Sequence, residues 1–244
     1  MGKSANIANP STADARKFCI PRNVTLVVGA VHTLPGLRLA SRLKKGDIDV
    51  IEIRVDAFAS ELPALRRALP GLTGIPLLLT VRHPAEGGLN KLAVSHRRTL
   101  IDEFLPHAAL LDLELRSFPA LAETAAAAQA QGITLVVSDH HFRRTPSLRQ
   151  LHIRQRRAFA VGADLFKVAT LTSTAGDFAR LLDFCARPAS RPHSVMGMGR
   201  FGPASRLALA QAGSVLNYGY LHTSNAPGQW EARELRRLLT AFAA

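Results

Sequence analysis

Apolar residues in this chain come in short runs that polar segments interrupt at a regular interval. Eight runs read as strands: Val24–Val31, Val50–Asp56, Ile75–Arg82, Ala109–Leu115, Ile133–His140, Ala163–Thr170, His193–Gly199 and Ser214–Tyr220. They are too short for independent helices, and the continuous aliphatic character of most of them fits strands buried on both faces. Helix-compatible stretches lie between and after them, over residues 35–45, 60–69, 93–105, 118–131, 147–160, 173–186, 204–212 and 231–243. Strands that alternate with helices at this spacing pair in parallel through right-handed crossovers. Eight such units predict an α/β chain folded as a single-domain (β/α)8 TIM barrel over residues 23–244, behind a flexible lead-in of residues 1–22. The alternative is an open doubly wound sheet. That fold would favour a glycine-rich phosphate turn after an early strand, and Val31-His32-Thr33-Leu34-Pro35 has no such turn.

Polar residues intrude on these runs near their C-terminal ends, the rim at which barrel enzymes build their sites. Side chains alternate along a strand, so Glu52, Arg54 and Asp56 share a face, as do Asp112 with Glu114 and Ser138 with His140. Asp112 and Glu114 are equally suited to a structural role as ion-pair partners of the arginines. Lys167 stands between Phe166 and Val168 in a run that otherwise reads as buried. A buried ammonium without a partner is costly, so this lysine either meets a carboxylate or loses its proton and becomes a nucleophile. The segment alone leaves both open. On the preceding strand, with axes about 4.8 Å apart, His140 can converge with Lys167 over one pocket, whereas His141 faces the other way. A lysine nucleophile beside a histidine base is the equipment of iminium chemistry on a ketone.

Composition narrows the picture. The formal charge of +13 raises nucleic acid as a partner, and a basic nucleic-acid-binding protein is the rival from another functional class. The arginines, however, are spread as pairs such as Arg66-Arg67, Arg97-Arg98, Arg143-Arg144 and Arg236-Arg237, with only 6% aromatics to stack bases. They read as solvated helix faces, with the attraction of an anionic small substrate as a second use, and no nucleic-acid partner is expected. No run approaches the roughly 18 apolar residues of a membrane span, and residues 1–22 lack the apolar core of a signal peptide. Cys19 and Cys185 have no metal-like spacing, which fits a reducing cytoplasm. Adjacent in a strand, His140 and His141 cannot chelate one ion together, and no metal is expected.

Several separate motifs resemble those of the type I 3-dehydroquinate dehydratases. They are Glu52-Ile53-Arg54-Val55-Asp56, Thr80 to Gly88, Asp112-Leu113-Glu114, Ser138 to Phe142, Lys167-Val168-Ala169, Met196-Gly197-Met198, Ser205-Arg206 and Ala226-Pro227-Gly228-Gln229. Each alone is weak, but their joint order and spacing are specific, and the resemblance runs from about Val24 to the C-terminus. It implies a (β/α)8 lyase of the shikimate pathway that needs no cofactor, is a homodimer and acts on an anionic keto acid. It further implies that Lys167 forms the iminium, that His140 is general base and then acid, and that Glu86 assists His140. Arg206 would clamp the substrate carboxylate; Glu52, Arg54, Arg82 and Gln229 would hold hydroxyl groups; Met196 and Met198 would wall the pocket. Asn225 stands where the family usually has serine, near the substrate, and Tyr218 stands in the pocket wall where phenylalanine is typical. The nearest enzymatic rival is a related class I barrel lyase acting on another polyhydroxylated keto acid. The segments Gly199–Ala204 and His222–Gln229, rich in small residues, are expected to be mobile loops over the rim.

Overall fold

The computed structural model describes residues 17–21 and 24–243. Eight strands, β1 (Leu26–Val31), β2 (Val50–Arg54), β3 (Leu77–Thr80), β4 (Leu110–Glu114), β5 (Thr134–His141), β6 (Leu165–Leu171), β7 (His193–Met198) and β8 (Leu216–Tyr220), alternate with eight helices. These are α1 (Leu34–Ala40), α2 (Leu62–Ala68), α3 (Val94–Phe104), α4 (Phe118–Ala130), α5 (Leu148–Ala160), α6 (Ala175–Ala186), α7 (Gly202–Gln211) and α8 (Ala232–Ala243). All seven ladders are parallel, in the order β7-β6-β5-β4-β3-β2-β1-β8. The predicted (β/α)8 barrel is thus the observed fold.

The barrel is nearly closed, and its seam has its own chemistry. Between β7 and β8 the Val215 N–H donates to the His193 carbonyl at 3.0 Å. The Leu216 N–H donates to Ser194 Oγ at 2.7 Å, and the Val195 N–H to Ser214 Oγ at 2.9 Å. Two buried serine hydroxyls therefore satisfy backbone donors that a regular ladder would have paired.

Pleating sorts each strand into an outward face that packs on the helices and an inward face that fills the barrel. Val28, Val50, Leu78, Leu110, Val136, Leu165 and Leu216 form one inner apolar cluster. Phe18 and Ile20, at the end of the segment read as a lead-in, pack against that cluster, and Thr134 Oγ1 donates to the Phe18 carbonyl at 2.8 Å. The outward faces, together with the buried stripes of the helices, make the larger core.

Strand ends depart from the expected bounds for local reasons. Pro76 has no N–H to give to a ladder, and β3 begins after it, at Leu77. β2 stops at Arg54 because residues 55–58 turn into a 3-10 helix, which takes Asp56 off the strand. The predicted loop at 199–204 is instead a 3-10 turn running directly into α7, with Pro203 in the helix's first turn, where its missing N–H costs nothing. Its small residues permit close backbone approach: a Cβ on Gly202 would lie 3.1 Å from the Gly228 Cα, and the Gly199 N–H donates to the Pro227 carbonyl at 3.0 Å. At the same rim, capping boxes of Ser147 with Gln150 and of Thr174 with Asp177 fix the starts of α5 and α6, which anchors the loops leaving β5 and β6.

Candidate active site

Two residues beyond the apolar cluster, the inner faces turn polar. Lys167 lies on β6, cross-strand from Ser138 on β5 and 3% exposed. Its Nζ is 2.9 Å from Asp112 Oδ2 and 3.5 Å from Glu52 Oε1, and it sits 3.8 Å from the centroid of the Tyr218 ring. The buried lysine thus has carboxylate partners. Those partners are themselves held: Thr80 Oγ1 donates to Glu52 at 2.9 Å, and Ser138 Oγ to Asp112 at 2.6 Å.

Arg82 organises the charge. Its guanidinium reaches both Asp112 oxygens at 2.9 Å, Glu114 Oε1 at 3.0 Å and Ser138 Oγ at 2.7 Å. Burial alone would raise the Asp112 carboxyl, but the Arg82 and Lys167 charges outweigh it and hold the group far below the usual carboxylate range. Arg54 makes a two-pronged pair with Asp56 at 3.0 and 2.8 Å and donates to the Gly87 carbonyl at 2.9 Å. Asp56 in turn accepts the backbone N–H groups of Arg82 and Leu89. It ties the 82–89 loop to β2 instead of lining the cavity with Glu52 and Arg54.

That loop delivers Glu86. Glu86 Oε2 accepts the His140 backbone N–H at 3.0 Å and lies 2.9 Å from His140 Nδ1. An ionised Glu86 accepts from Nδ1–H and so leaves the lone pair on Nε2, whereas a protonated Glu86 donates to Nδ1. Burial first, then the Arg82 and Lys167 charges, lowers the His140 imidazole well below its ordinary value. Burial raises Glu86 to about 8, against the pull of Arg82. His141 points outward, as expected, with Nε2 at 2.9 Å from Asp139, which also takes Arg154.

Arg206, on α7, is a different arginine. It is 2% exposed, and its Nη1 donates to the Tyr218 carbonyl at 2.9 Å and contacts the Met196 sulfur at 3.7 Å. No carboxylate among the described residues pairs with it, and burial lowers it to about 10. Gln229 Oε1 accepts the Asn225 backbone N–H at 3.2 Å, which leaves its amide NH2 free to donate.

One cavity at the C-terminal rim is lined by Lys167, His140 and Glu86, by Glu52, Arg54, Arg82 and Arg206, and by Asn225, Gln229, Met196, Met198 and Tyr218. The chain matches the family model described as type I 3-dehydroquinase over residues 25–244. A 3-dehydroquinate dehydratase of Listeria innocua is 35% identical over 243 residues, covering 92% of each chain. A catabolic 3-dehydroquinate dehydratase of Acinetobacter baylyi is 31% identical, over 79% of this chain and 75% of that one. The chain belongs to the type I 3-dehydroquinase family. It is an enzyme of the hydro-lyase class.

Solved structures of the 3-dehydroquinases agree. The 3-dehydroquinate dehydratase of Geobacillus kaustophilus superposes with a TM-score of 0.81 at 28% identity, covering 90% of this chain and 91% of that one. The type I enzyme of Clostridium difficile, solved with covalently modified comenic acid, gives the same score and identity, covering 90% and 93%.

The twelve side chains given a catalytic, binding or wall role from the sequence line this cavity, joined by Gly87, Phe142, Ala169 and Ala226, whereas Asp56, Asp112, Glu114 and Ser138 do not line it. One reading needs correction. Arg97, taken with Arg98 as a solvated helix face, is 1% exposed and crosses from α3 to Glu114 Oε2 at 2.6 Å, to Ser117 at 3.0 Å and to the Val81 carbonyl at 2.8 Å. The signal was in the sequence: Arg97, Leu100, Ile101 and Phe104 form the buried stripe of α3 at i, i+3, i+4 and i+7.

Proposed function

We propose that the protein dehydrates 3-dehydroquinate to 3-dehydroshikimate through an iminium on Lys167. The supporting observation is the company in one cavity of a lysine, an imidazole with a free Nε2, and a buried arginine that lacks a counter-charge. The Lys167 ammonium gives up a proton and attacks the ketone carbon; that proton and a second one from the nitrogen end on the former carbonyl oxygen, which leaves as water, and the iminium keeps one N–H. The positive iminium acidifies the neighbouring C–H, His140 Nε2 takes that proton, and the electron pair moves into an enamine. The same imidazole returns the proton to the departing hydroxyl, and the enamine electrons expel it as the second water. A further water then hydrolyses the conjugated iminium and frees Lys167.

Around these steps Arg206 holds the substrate carboxylate, for which a planar guanidinium is well shaped. Glu52, Arg54, Arg82 and Gln229 hold hydroxyl groups, Asn225 lies beside them, and Met196 and Met198 shape the wall. Glu86 fixes the tautomer and aim of His140. The reaction so written needs no metal or cofactor, and we place it in the shikimate pathway, in a cytoplasmic homodimer. Exposed Cys19 and buried Cys185 are free thiols, which fits a reducing compartment.

The test is borohydride reduction during turnover with 3-dehydroquinate, followed by peptide mapping. The expected result is a reduced, dehydrated adduct on the peptide that carries Lys167, absent from Lys167→Ala. An unmodified Lys167 in a protein that turns the substrate over would overturn the iminium mechanism. Turnover of another polyhydroxylated keto acid but not of 3-dehydroquinate would overturn the substrate.

A further inference from the structure

At the charged end of the barrel two buried side-chain atoms have no hydrogen-bond partner among the described residues, His32 Nδ1 and the Tyr218 hydroxyl, and of these two residues Tyr218 is the one that lines the cavity. Tyr218 is 4% exposed, its ring faces the Lys167 ammonium, and its hydroxyl is buried without a hydrogen-bond partner among the described residues. The groups around it are engaged elsewhere: Glu52 with Thr80, Asp112 with Arg82, Ser138 and Lys167, and the Tyr218 carbonyl with Arg206. Buried hydroxyls are normally satisfied, and an unsatisfied one costs free energy that a phenylalanine would avoid while packing equally well beside Met196 and Met198. The ring needs no hydroxyl for its contact with the ammonium either, because that contact is to the aromatic face. The hydroxyl is therefore explained by something the cavity receives.

Tyr218 lines that cavity. Burial first, then the Glu52 and Asp112 charges, raises its phenol well above the ordinary value, so it stays protonated and able to donate. A ketone carbon bonded to Lys167 Nζ lies close to the ring face. With Nζ 3.8 Å from the ring centroid, a substituent on a carbon adjoining the iminium carbon is within reach of the ring edge that carries the hydroxyl.

We propose that Tyr218 is a specificity-determining residue whose hydroxyl donates a hydrogen bond to the hydroxyl oxygen on the substrate carbon next to the ketone. The ligand class is a cyclic α-hydroxy ketone. The inference rests on the iminium reading above, because attachment to Lys167 is what brings that hydroxyl to Tyr218.

The experiment compares wild type with Tyr218→Phe on two substrates, 3-dehydroquinate and its analogue without the hydroxyl next to the ketone. For 3-dehydroquinate, Tyr218→Phe raises KM about 3- to 10-fold, the range of one neutral hydrogen bond, with a smaller change in kcat. For the deoxy analogue, the two proteins have the same KM. The thermal midpoint of ligand-free Tyr218→Phe equals or exceeds that of wild type, because an unpaired polar atom has been removed. Equal KM values for 3-dehydroquinate, or the same loss on both substrates, would overturn the proposal. So would a lowered midpoint with no difference between substrates, the mark of a purely structural hydroxyl. A wild type that neither turns over 3-dehydroquinate nor traps it on Lys167 would overturn the functional reading and this inference together, whereas an active wild type matched by Tyr218→Phe overturns the inference alone.

Discussion

The two halves of the barrel interior are built on the same strands and the same faces, yet they are held by opposite means. Toward the N-terminal end the inward residues are Val28, Val50, Leu78, Leu110, Val136, Leu165 and Leu216. One pleat repeat further, about 6.6 Å along the strands, stand Glu52, Thr80, Asp112, Ser138, Lys167 and Tyr218, and beyond them Arg54, Arg82, Glu114 and His140. The lower half is held by non-directional burial, which tolerates changes of shape as long as volume is kept. In the upper half, directional pairs share their members: Asp112 serves Arg82 and Lys167, and Glu114 serves Arg82 and Arg97. Removing one member strands the others in a dry site. The lower half is therefore a source of stability, and the upper half spends that stability on fixing where Lys167 and His140 point.

The largest expected effect breaks this division at Arg82. Arg82→Leu leaves Lys167 as the one cation on Asp112, at Oδ2, and strips the cation from Asp112 Oδ1 and Glu114 Oε1, which costs roughly 3–5 kcal/mol, whereas the volume-conserving Leu78→Met one step below costs less than about 1.5 kcal/mol. The pH dependence tells the two apart. Asp112 is held below its unfolded value, so its contribution to wild-type stability is complete above about pH 4 and is lost as pH falls through the native value. Without Arg82 the carboxyl titrates higher, and protonation relieves the stranded charge. The gap between Arg82→Leu and wild type, measured by urea unfolding, should be widest at neutral pH and narrow toward pH 3. A gap that stays constant with pH would show that the cost is lost packing and not a stranded carboxylate.

A second contrast lies within β5. His140→Ala should lower kcat roughly 100- to 10,000-fold, as loss of a general acid-base group does, while His141→Ala, paired with Asp139 on the outer face, should stay within a few-fold. Because burial and the neighbouring cations keep His140 below its ordinary value, the neutral base form persists on the acid side of 6.5. The wild-type kcat/KM profile, which reports the free enzyme, should accordingly stay flat from pH 7 to below 6.5 before the acid limb set by His140 begins. A reversal of the two histidines would mean that the strand register is wrong by one residue.

The unequal treatment of these residues explains how much the sequence revealed. Strand and helix alternation is a property of local hydrophobic period, so the eight units and the inward faces of β2, β4, β5 and β6 were legible. So was the anomaly of Lys167, because a charge in an aliphatic run needs an explanation wherever it lies. The pairing scheme was not legible, since Asp112 meets Arg82 and Lys167 across 30 and 55 positions of sequence. Arg97 was misread because a charged residue on a helix was assumed to face water, although its stripe partners Leu100, Ile101 and Phe104 pointed inward. Asp56 followed the strand alternation on paper, but the 3-10 turn after Arg54 redirected it. The serine-closed seam and the unpartnered Tyr218 hydroxyl are facts of three-dimensional hydrogen bonding that leave no periodic trace.

Arg206 sharpens the comparison from the other side, with the smallest expected cost to the fold. It is as buried as Arg82 and lies at the same cavity, but no acid among the described residues pairs with it, so Arg206→Leu strands no carboxylate. Unfolding of ligand-free Arg206→Leu should therefore match wild type or occur at higher temperature, the reverse of Arg82→Leu. Its effect belongs to binding: KM for 3-dehydroquinate should rise roughly 10- to 150-fold, the range of a hydrogen bond to a charged group. Arg206→Lys should recover part of that loss, because it restores the charge without the planar fork. An Arg206→Leu protein that is strongly destabilised yet keeps its KM would mean that this guanidinium, like that of Arg82, serves the protein's own structure, and the site would then lack its anchor for an anionic substrate.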